Sequence, residues 1–299
     1  YSIAFHPRYV HPVPGEHRFP MVKYELLPPQ LLHRGIVRQT QFFEPGFAAL
    51  GHICKVHDPA YVNNFVHLGL SAKEGRRIGF IQDRAIVERE LLLVQGTILG
   101  AQHALQDGIA FNIAGGTHHA SVSHGEGFCM LNDQAVAARF LVDHTPVNKV
   151  LIIDLDVHQG NGTADIFKDS PDVFTFSMHG EANYPFHKST SHLDVGLETG
   201  TTDEPYLAAL QHSLELVRER FQPDFIFYQA GVDILETDKM GKLNCSLEAC
   251  MQRDRMVMEF ARSLNVPLQS SMGGGYSPDI RTILEAQTNT YLVANEYYS

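Results

Sequence analysis

The sequence predicts an α/β fold in a single domain, a mainly parallel central sheet with helices on both faces and three layers in all. Two observations carry this. Short β-branched apolar runs alternate with longer stretches of helical period, and several of the runs are continuous rather than alternating. Continuous runs are how strands covered on both faces read. Strand followed by helix, repeated along the chain, implies crossover connections between parallel neighbours. No composition shift, internal repeat or low-complexity linker divides the 299 residues, so 1–299 reads as one domain.

Strands are expected at Ser2–Phe5, Phe111–Ala114, Lys149–Leu155, Val173–Met178, Asp224–Gln229, Val266–Ser270 and Thr290–Ala294. Helices are expected between them. Glu204–Phe221 places Leu207, Leu210, Leu214, Val217 and Phe221 at steps of three and four, and Ser246–Leu264 places Leu247, Cys250, Val257, Phe260 and Leu264 on one face behind an N-capping Ser246. Arg84–Leu105 and Asn132–Asp143 are two more.

Composition narrows the class. Hydrophobic residues make up 44% and charged residues 19%, enough for a sizeable core, which excludes disordered and fibrous chains. Apolar runs such as Val150–Ile153 are far short of the ~18 residues a membrane span needs, so no membrane partner is expected. A net charge of −11 opposes direct nucleic-acid binding. The four cysteines form no C-x2-C pair, which points to a reducing, cytoplasmic compartment, or a nuclear one in a eukaryote. The chain begins at Tyr1 with neither Met nor a basic-plus-apolar leader, so its start is expected to have been trimmed.

In such sheets function gathers beyond the carboxyl ends of the strands. Five expected strand ends carry chemistry-bearing clusters: Gly115-Gly116-Thr117-His118-His119, then Asp154 with Asp156-Val157-His158, Ser177-Met178-His179, Gly231-Val232-Asp233, and Gly273-Gly274-Gly275-Tyr276. Polar groups of this kind are costly to bury unless paired or metal-bound. On an extended strand Asp154, Asp156 and His158 share one side. Asp156 and His158 with Asp233 from a neighbouring strand form an O/N/O ligand set that leaves a position open, the catalytic rather than structural arrangement. The plainer alternative, that the acids only cap the next helix, explains one end but not five. The tandem His118-His119 reads as an acid/base pair, and Tyr276 as a phenol donor to an oxyanion. The chain has 17 histidines, and His6, His11, His17, His33, His52, His67, His103, His144, His187, His192 and His212 carry no such context.

Together these motifs, with Gly127-Phe128-Cys129 and the Gln159-Gly160-Asn161 run, resemble the zinc-dependent histone deacetylase family, whose fold is shared with arginases. The resemblance runs from about His57-Asp58-Pro59-Ala60-Tyr61 to Tyr276, and the Gln-Gly-Asn variant is similar to the class IV branch and its bacterial relatives. It implies Asp156, His158 and Asp233 as zinc ligands, His119 as general base then acid, His118 as its electrostatic partner, and Tyr276 polarising the substrate carbonyl. Gly127 and Phe128 match the wall of an acyl-lysine tunnel, the Gly127 carbonyl facing the substrate amide. Asp154 matches the residue that orients the first histidine. With Ser177 and the backbone of Asp156, His158 and Met178 it also matches a site for potassium or sodium. An outer cation site near Phe167, Ser170 and Val173 is implied too. Where many members carry an acid, this chain has Asn161, so His119 is expected to be the less basic of the pair.

The activity so implied is zinc-dependent removal of acyl groups from the Nε-amine of lysine in proteins or peptides, with hydroxamates as chelating inhibitors. The alternatives are an amidohydrolase acting on a small acylated amine such as an acetylpolyamine, and a non-catalytic acyl-lysine binding protein. Because Gly115, Gly116, Thr117 and Gly273–Gly275 are small, space is expected beyond the metal, and with it a preference for acyl chains longer than acetyl.

Overall fold

A computed structural model gives the architecture and describes residues 1–298. Eight strands form one sheet: β1 (Ser2–Ala4), β2 (Phe42–Phe43), β3 (Ile109–Asn112), β4 (Val150–Asp154), β5 (Val173–Gly180), β6 (Leu193–Leu197), β7 (Phe225–Gln229) and β8 (Leu268–Ser271). Their order is β2-β1-β3-β8-β7-β4-β5-β6, and every neighbouring pair is parallel. All residues of β3, β4, β5, β7 and β8 are buried, as the continuous apolar runs imply.

The helices are α1 (Lys23–His33), α2 (Leu50–Ile53), α3 (Pro59–Val66), α4 (Ala72–Ile78), α5 (Arg84–Asp107), α6 (Asp133–His144), α7 (Asn161–Phe167), α8 (Asp203–Arg220), α9 (Leu247–Leu264) and α10 (Ile280–Tyr298). Several start at a side-chain cap, of which Ser246 is the one expected from the sequence. Asp83, Asn132 and Ser246 each accept a backbone N–H from the first turn of α5, α6 and α9.

Four local expectations change. Thr290–Ala294 is not a strand but the inside of α10, where Thr290, Tyr291, Val293 and Ala294 are all buried. An apolar segment buried all round carries no period that separates helix from strand. The edge strands β2 and β6 carry no continuous run: β2 has two residues, and β6 alternates half-buried with exposed positions up to a buried Leu197. The third strand sits two residues earlier than expected, leaving Ile113 and Ala114 beyond its end, and β5 runs on through His179 to Gly180. The fourth concerns Asp156 and His158. β4 ends at Asp154, so both lie in the following loop, and their convergence comes from that loop rather than from strand parity.

One buried ion pair ties the helical layer to the site. Arg253 of α9 is fully buried, pairs with Asp254 at 2.8 Å and donates to the carbonyl of Gly231, two residues before Asp233. Asp254 also accepts from Tyr228 of β7 and Thr290 of α10. Arg253→Ala strands that carboxylate without its cation and is expected to destabilise the fold by about 3–5 kcal/mol in urea denaturation. A loss below ~1 kcal/mol would show that Asp254 needs no countercharge.

Candidate active site

The carboxyl ends of β3, β4, β7 and β8 lie side by side in the middle of the sheet, and the loops leaving them bring the charged residues together. Asp156, His158 and Asp233 are all buried, and each offers one ligand atom within 4.8 Å of the others. His158 Nδ1 lies 3.0 Å from Asp156 Oδ1 and 3.1 Å from Asp233 Oδ2. The remaining oxygens are held by the backbone: Val157 N–H donates to Asp233 Oδ1 at 2.9 Å, and Gly274 N–H donates to Asp156 Oδ2 at 2.9 Å. A Cβ at position 274 would overlap both carboxylates, so the tight approach of this loop requires glycine.

The electrostatics fit a divalent cation. Burial, and next to it the Asp156 charge, raise the Asp233 carboxyl to about 7. Burial also opposes ionisation of Asp156, but the His118 and His158 charges outweigh it and hold that carboxyl well below the usual range. Two buried carboxylates facing one imidazole form a donor set short of positive charge. Nitrogen and oxygen donors of this kind suit zinc better than magnesium or calcium, and three protein ligands leave a position for water or substrate.

Both tandem histidines have their Nδ1 atoms occupied, which directs Nε2 toward the site. His118 Nδ1 is 2.7 Å from Asp154 Oδ2, and His119 Nδ1 is 2.6 Å from Asn161 Oδ1. Burial disfavours a charge on either ring. For His118 the Asp154 and Asp156 carboxylates prevail and hold its pKa at about 9. For His119 burial is reinforced by the His118 and His158 charges, and its pKa falls well below the imidazole norm. His119 is therefore the less basic of the two, through burial and the neighbouring histidine charges, while its hydrogen bond to Asn161 acts the other way. Burial, with Asp156 and Asp233 nearby, pushes the Tyr276 phenol well up, so it stays a proton donor.

Phe128 and Tyr276 face one another with ring centroids 6.3 Å apart, and Phe19 lies edge-on to both. Gly127 and Phe128 both have positive φ, and their N–H groups donate to the carbonyls of Arg77 and Ile78. The Gly127 carbonyl accepts from the Cys129 thiol at 3.4 Å. Asp154 and Ser177 are register partners on β4 and β5, which sets the two side by side.

Inward from Tyr276 lies a chamber of about 30 Å³, lined by Phe19, Tyr24, Arg89, Gly116, Cys129 and Gly273 among others. That is room for about two water-sized groups. The space expected beside the glycines is already filled: a Cβ on Gly116 or Gly273 would meet Gln229, and one on Gly115 would meet Asp133 and Ser271. The geometry thus removes the reason for expecting acyl chains longer than acetyl.

Several residues of the site carry no motif. Lys23 is fully buried and donates to the Gly273 carbonyl at 2.9 Å, steadying the turn before Tyr276. Asp133 accepts from Gly116 N–H, Thr117 N–H and Thr117 Oγ1 and so anchors the histidine loop. His57 accepts from Asn132 N–H and sits 2.8 Å from the Ser121 carbonyl, below the same loop. Glu126 accepts from the Asn161 amide at 2.6 Å, so a carboxylate does stand behind His119, one residue further out. His17, uninformative in the sequence, stacks on Phe80 beside Phe128.

Fold and site together define a class: a three-layer α/β/α scaffold with an all-parallel sheet and a buried carboxylate–histidine cluster at the strand ends. The histone deacetylase domain model matches residues 17–291, and the chain belongs to the histone deacetylase family. It is similar to an uncharacterized protein of Picosynechococcus sp., 42% identical over 100% of this chain and 99% of the relative. It is also similar to histone deacetylase 2 of Arabidopsis thaliana, 33% identical over 87% of this chain and 70% of the relative. Among solved structures, an HDAC homolog complexed with SAHA superposes with a TM-score of 0.83 at 25% identity, covering 98% of this chain and 83% of that one. The chain is thus a hydrolase of the deacetylase family. Among the described residues no helix is long and apolar enough to cross a membrane.

Proposed function

We propose that this protein removes acetyl groups from the Nε-amine of lysine in peptides or proteins, using one zinc ion held by Asp156, His158 and Asp233. The observation that carries the reading is the convergence of this buried ligand set with a low-pKa His119 and the Tyr276 phenol at the inner end of one cavity. When bound, the cation supplies Lewis acidity that polarises the amide carbonyl and acidifies the attacking water. The acetyl-lysine stem passes Phe128, and the methyl group enters the chamber of about 30 Å³. His119 Nε2 takes the proton of the attacking water while Asn161 keeps its Nδ1 fixed. Tyr276 donates its hydroxyl proton in a hydrogen bond to the oxygen on which negative charge grows. His119 then returns the proton to the lysine nitrogen, the C–N bond breaks, and acetate and the free amine leave. His118, charged at neutral pH beside Asp154, keeps His119 neutral and ready to act as a base. The Asp154 carboxylate, Ser177 Oγ and the backbone carbonyls of Asp156, His158 and Met178 form the proposed site for potassium or sodium.

A panel of acyl-lysine peptides from acetyl to myristoyl, with a chelator control, tests this reading. The expected result is chelator-sensitive turnover that is fastest on acetyl. Chain-length-independent or chelator-insensitive turnover would contradict it, and turnover confined to small acylated amines would favour the amidohydrolase alternative.

The pH dependence has a definite sign. A neutral His119 is the active form, and its pKa lies below the ordinary imidazole value. The acid limb of kcat/KM is therefore expected below pH ~6.5. Asn161→Asp adds a negative charge next to the ring, favours imidazolium and should move that limb to higher pH. An unmoved limb would mean that a group other than His119 controls it. His119→Ala is expected to lower kcat at least ~10²-fold, and His118→Ala less.

A further inference from the structure

The outer cavity that leads to the metal ligands holds about 320 Å³ and is lined by Arg18, Arg76, Arg77, Tyr184, Phe186 and Met240 together with His119, His158, Phe128 and Tyr276. Three arginines and no carboxylate line this entrance, in a chain whose net charge is −11. All three arginines are exposed, and among the described residues none forms an ion pair. Two acids stand near without pairing to these arginines: Glu74 caps the start of α4 through Ser71 and feels the Arg77 charge, and Glu126 accepts from Asn161. Arg76 and Arg77 stand in the last turn of α4, where the negative end of the helix dipole favours cations and offsets only part of their two full charges. The lining of the entrance is therefore positive, with three guanidinium groups and no carboxylate on it.

From this charge pattern we infer that the entrance selects acetyl-lysines flanked by aspartate and glutamate and disfavours cationic substrates, acetylated polyamines among them. The inference rests on the acetyl-lysine hydrolase reading above and adds its substrate class. An extended peptide lays its flanking side chains on the rim while only the modified lysine descends, and Phe186, 84% exposed, offers that peptide an apolar shelf. Guanidinium groups there meet carboxylates in forked hydrogen bonds, whereas a polyamine brings further cations against three fixed ones.

The test compares kcat/KM on two acetyl-lysine peptides of equal length, one flanked by Asp and Glu and one by Lys and Arg, and on a monoacetylated polyamine. The wild-type enzyme is set against a variant carrying Arg76→Glu and Arg77→Glu. Ratios within one preparation are read, so loss of folded enzyme cancels. At low ionic strength the acidic peptide is expected to be favoured about tenfold, the ratio shrinking in high salt as the field is screened. The variant should reverse the preference and gain on the polyamine relative to the acidic peptide. A wild-type ratio at or below one, or one that the charge reversal leaves unchanged, overturns the inference while leaving the hydrolase reading intact. No turnover on any of the three overturns the hydrolase reading, and the inference with it.

Discussion

Asp156→Ala is expected to leave the protein without its equivalent of zinc and without measurable turnover, and Asp233→Ala likewise. With three protein ligands, losing one removes a third of the set and half of its negative charge. The drop in metal affinity should exceed the ~10–100-fold that losing an outer hydrogen-bond partner brings. Stoichiometric zinc retained in both variants, measured by elemental analysis, would end the ligand assignment. A companion result is expected in chelated protein. Asp233 has a folded pKa of about 7, above its unfolded value. A carboxyl so shifted binds its proton more tightly when folded, so its contribution is fully favourable below pH ~4 and is lost as pH rises to about 7. Asp233→Asn keeps the acceptor for Val157 N–H and removes that titration. In chelator its Tm should therefore exceed that of the wild type at pH 7 and match it near pH 4. The same substitution should lower the Tm once zinc is added.

Tyr276→Phe is expected to reduce kcat by ~10²–10³-fold with little change in KM, about 2.7–4 kcal/mol of transition-state stabilisation. On the proposed reading two carboxylate ligands would partly neutralise a dication, so the phenol is expected to carry a large share of the stabilisation of the developing oxyanion. Its supports show how the fold aims it: Asp238 accepts the Tyr276 N–H at 2.6 Å, and the turn before it is tied to Lys23 through the Gly273 carbonyl. Steady-state kinetics on an acetyl-lysine peptide decide the matter. A variant within fivefold of wild-type kcat would place the oxyanion away from Tyr276.

The parts of this site legible in the sequence are those that each strand end carries whole. Asp154, Asp156, His158, Asp233 and the His118-His119 pair lie in short Gly-rich runs after apolar ones, and a parallel sheet brings such ends together. Residues that reach the site from elsewhere gave no such signal. Lys23 and Arg89 sit on helices whose other residues are ordinary packing, and their burial follows from long-range contacts. Glu126 reaches the histidine pair through Asn161, a partner 35 positions away. Asp133 reads as one more acid in the first turn of α6, although its carboxylate holds the histidine loop. The glycines misled for a related reason: small residues show that something comes close, and beside them stand Gln229, Asp133 and the Asp156 and Asp233 carboxylates.

The most direct test of the account is reconstitution of the chelated enzyme with zinc, followed by acetate release from an acetyl-lysine peptide. Activity is expected to rise linearly to one equivalent of zinc per chain and then level off, with Asp156→Ala flat throughout. Full acetate release in excess chelator, or an unchanged titration in Asp156→Ala, would contradict the account.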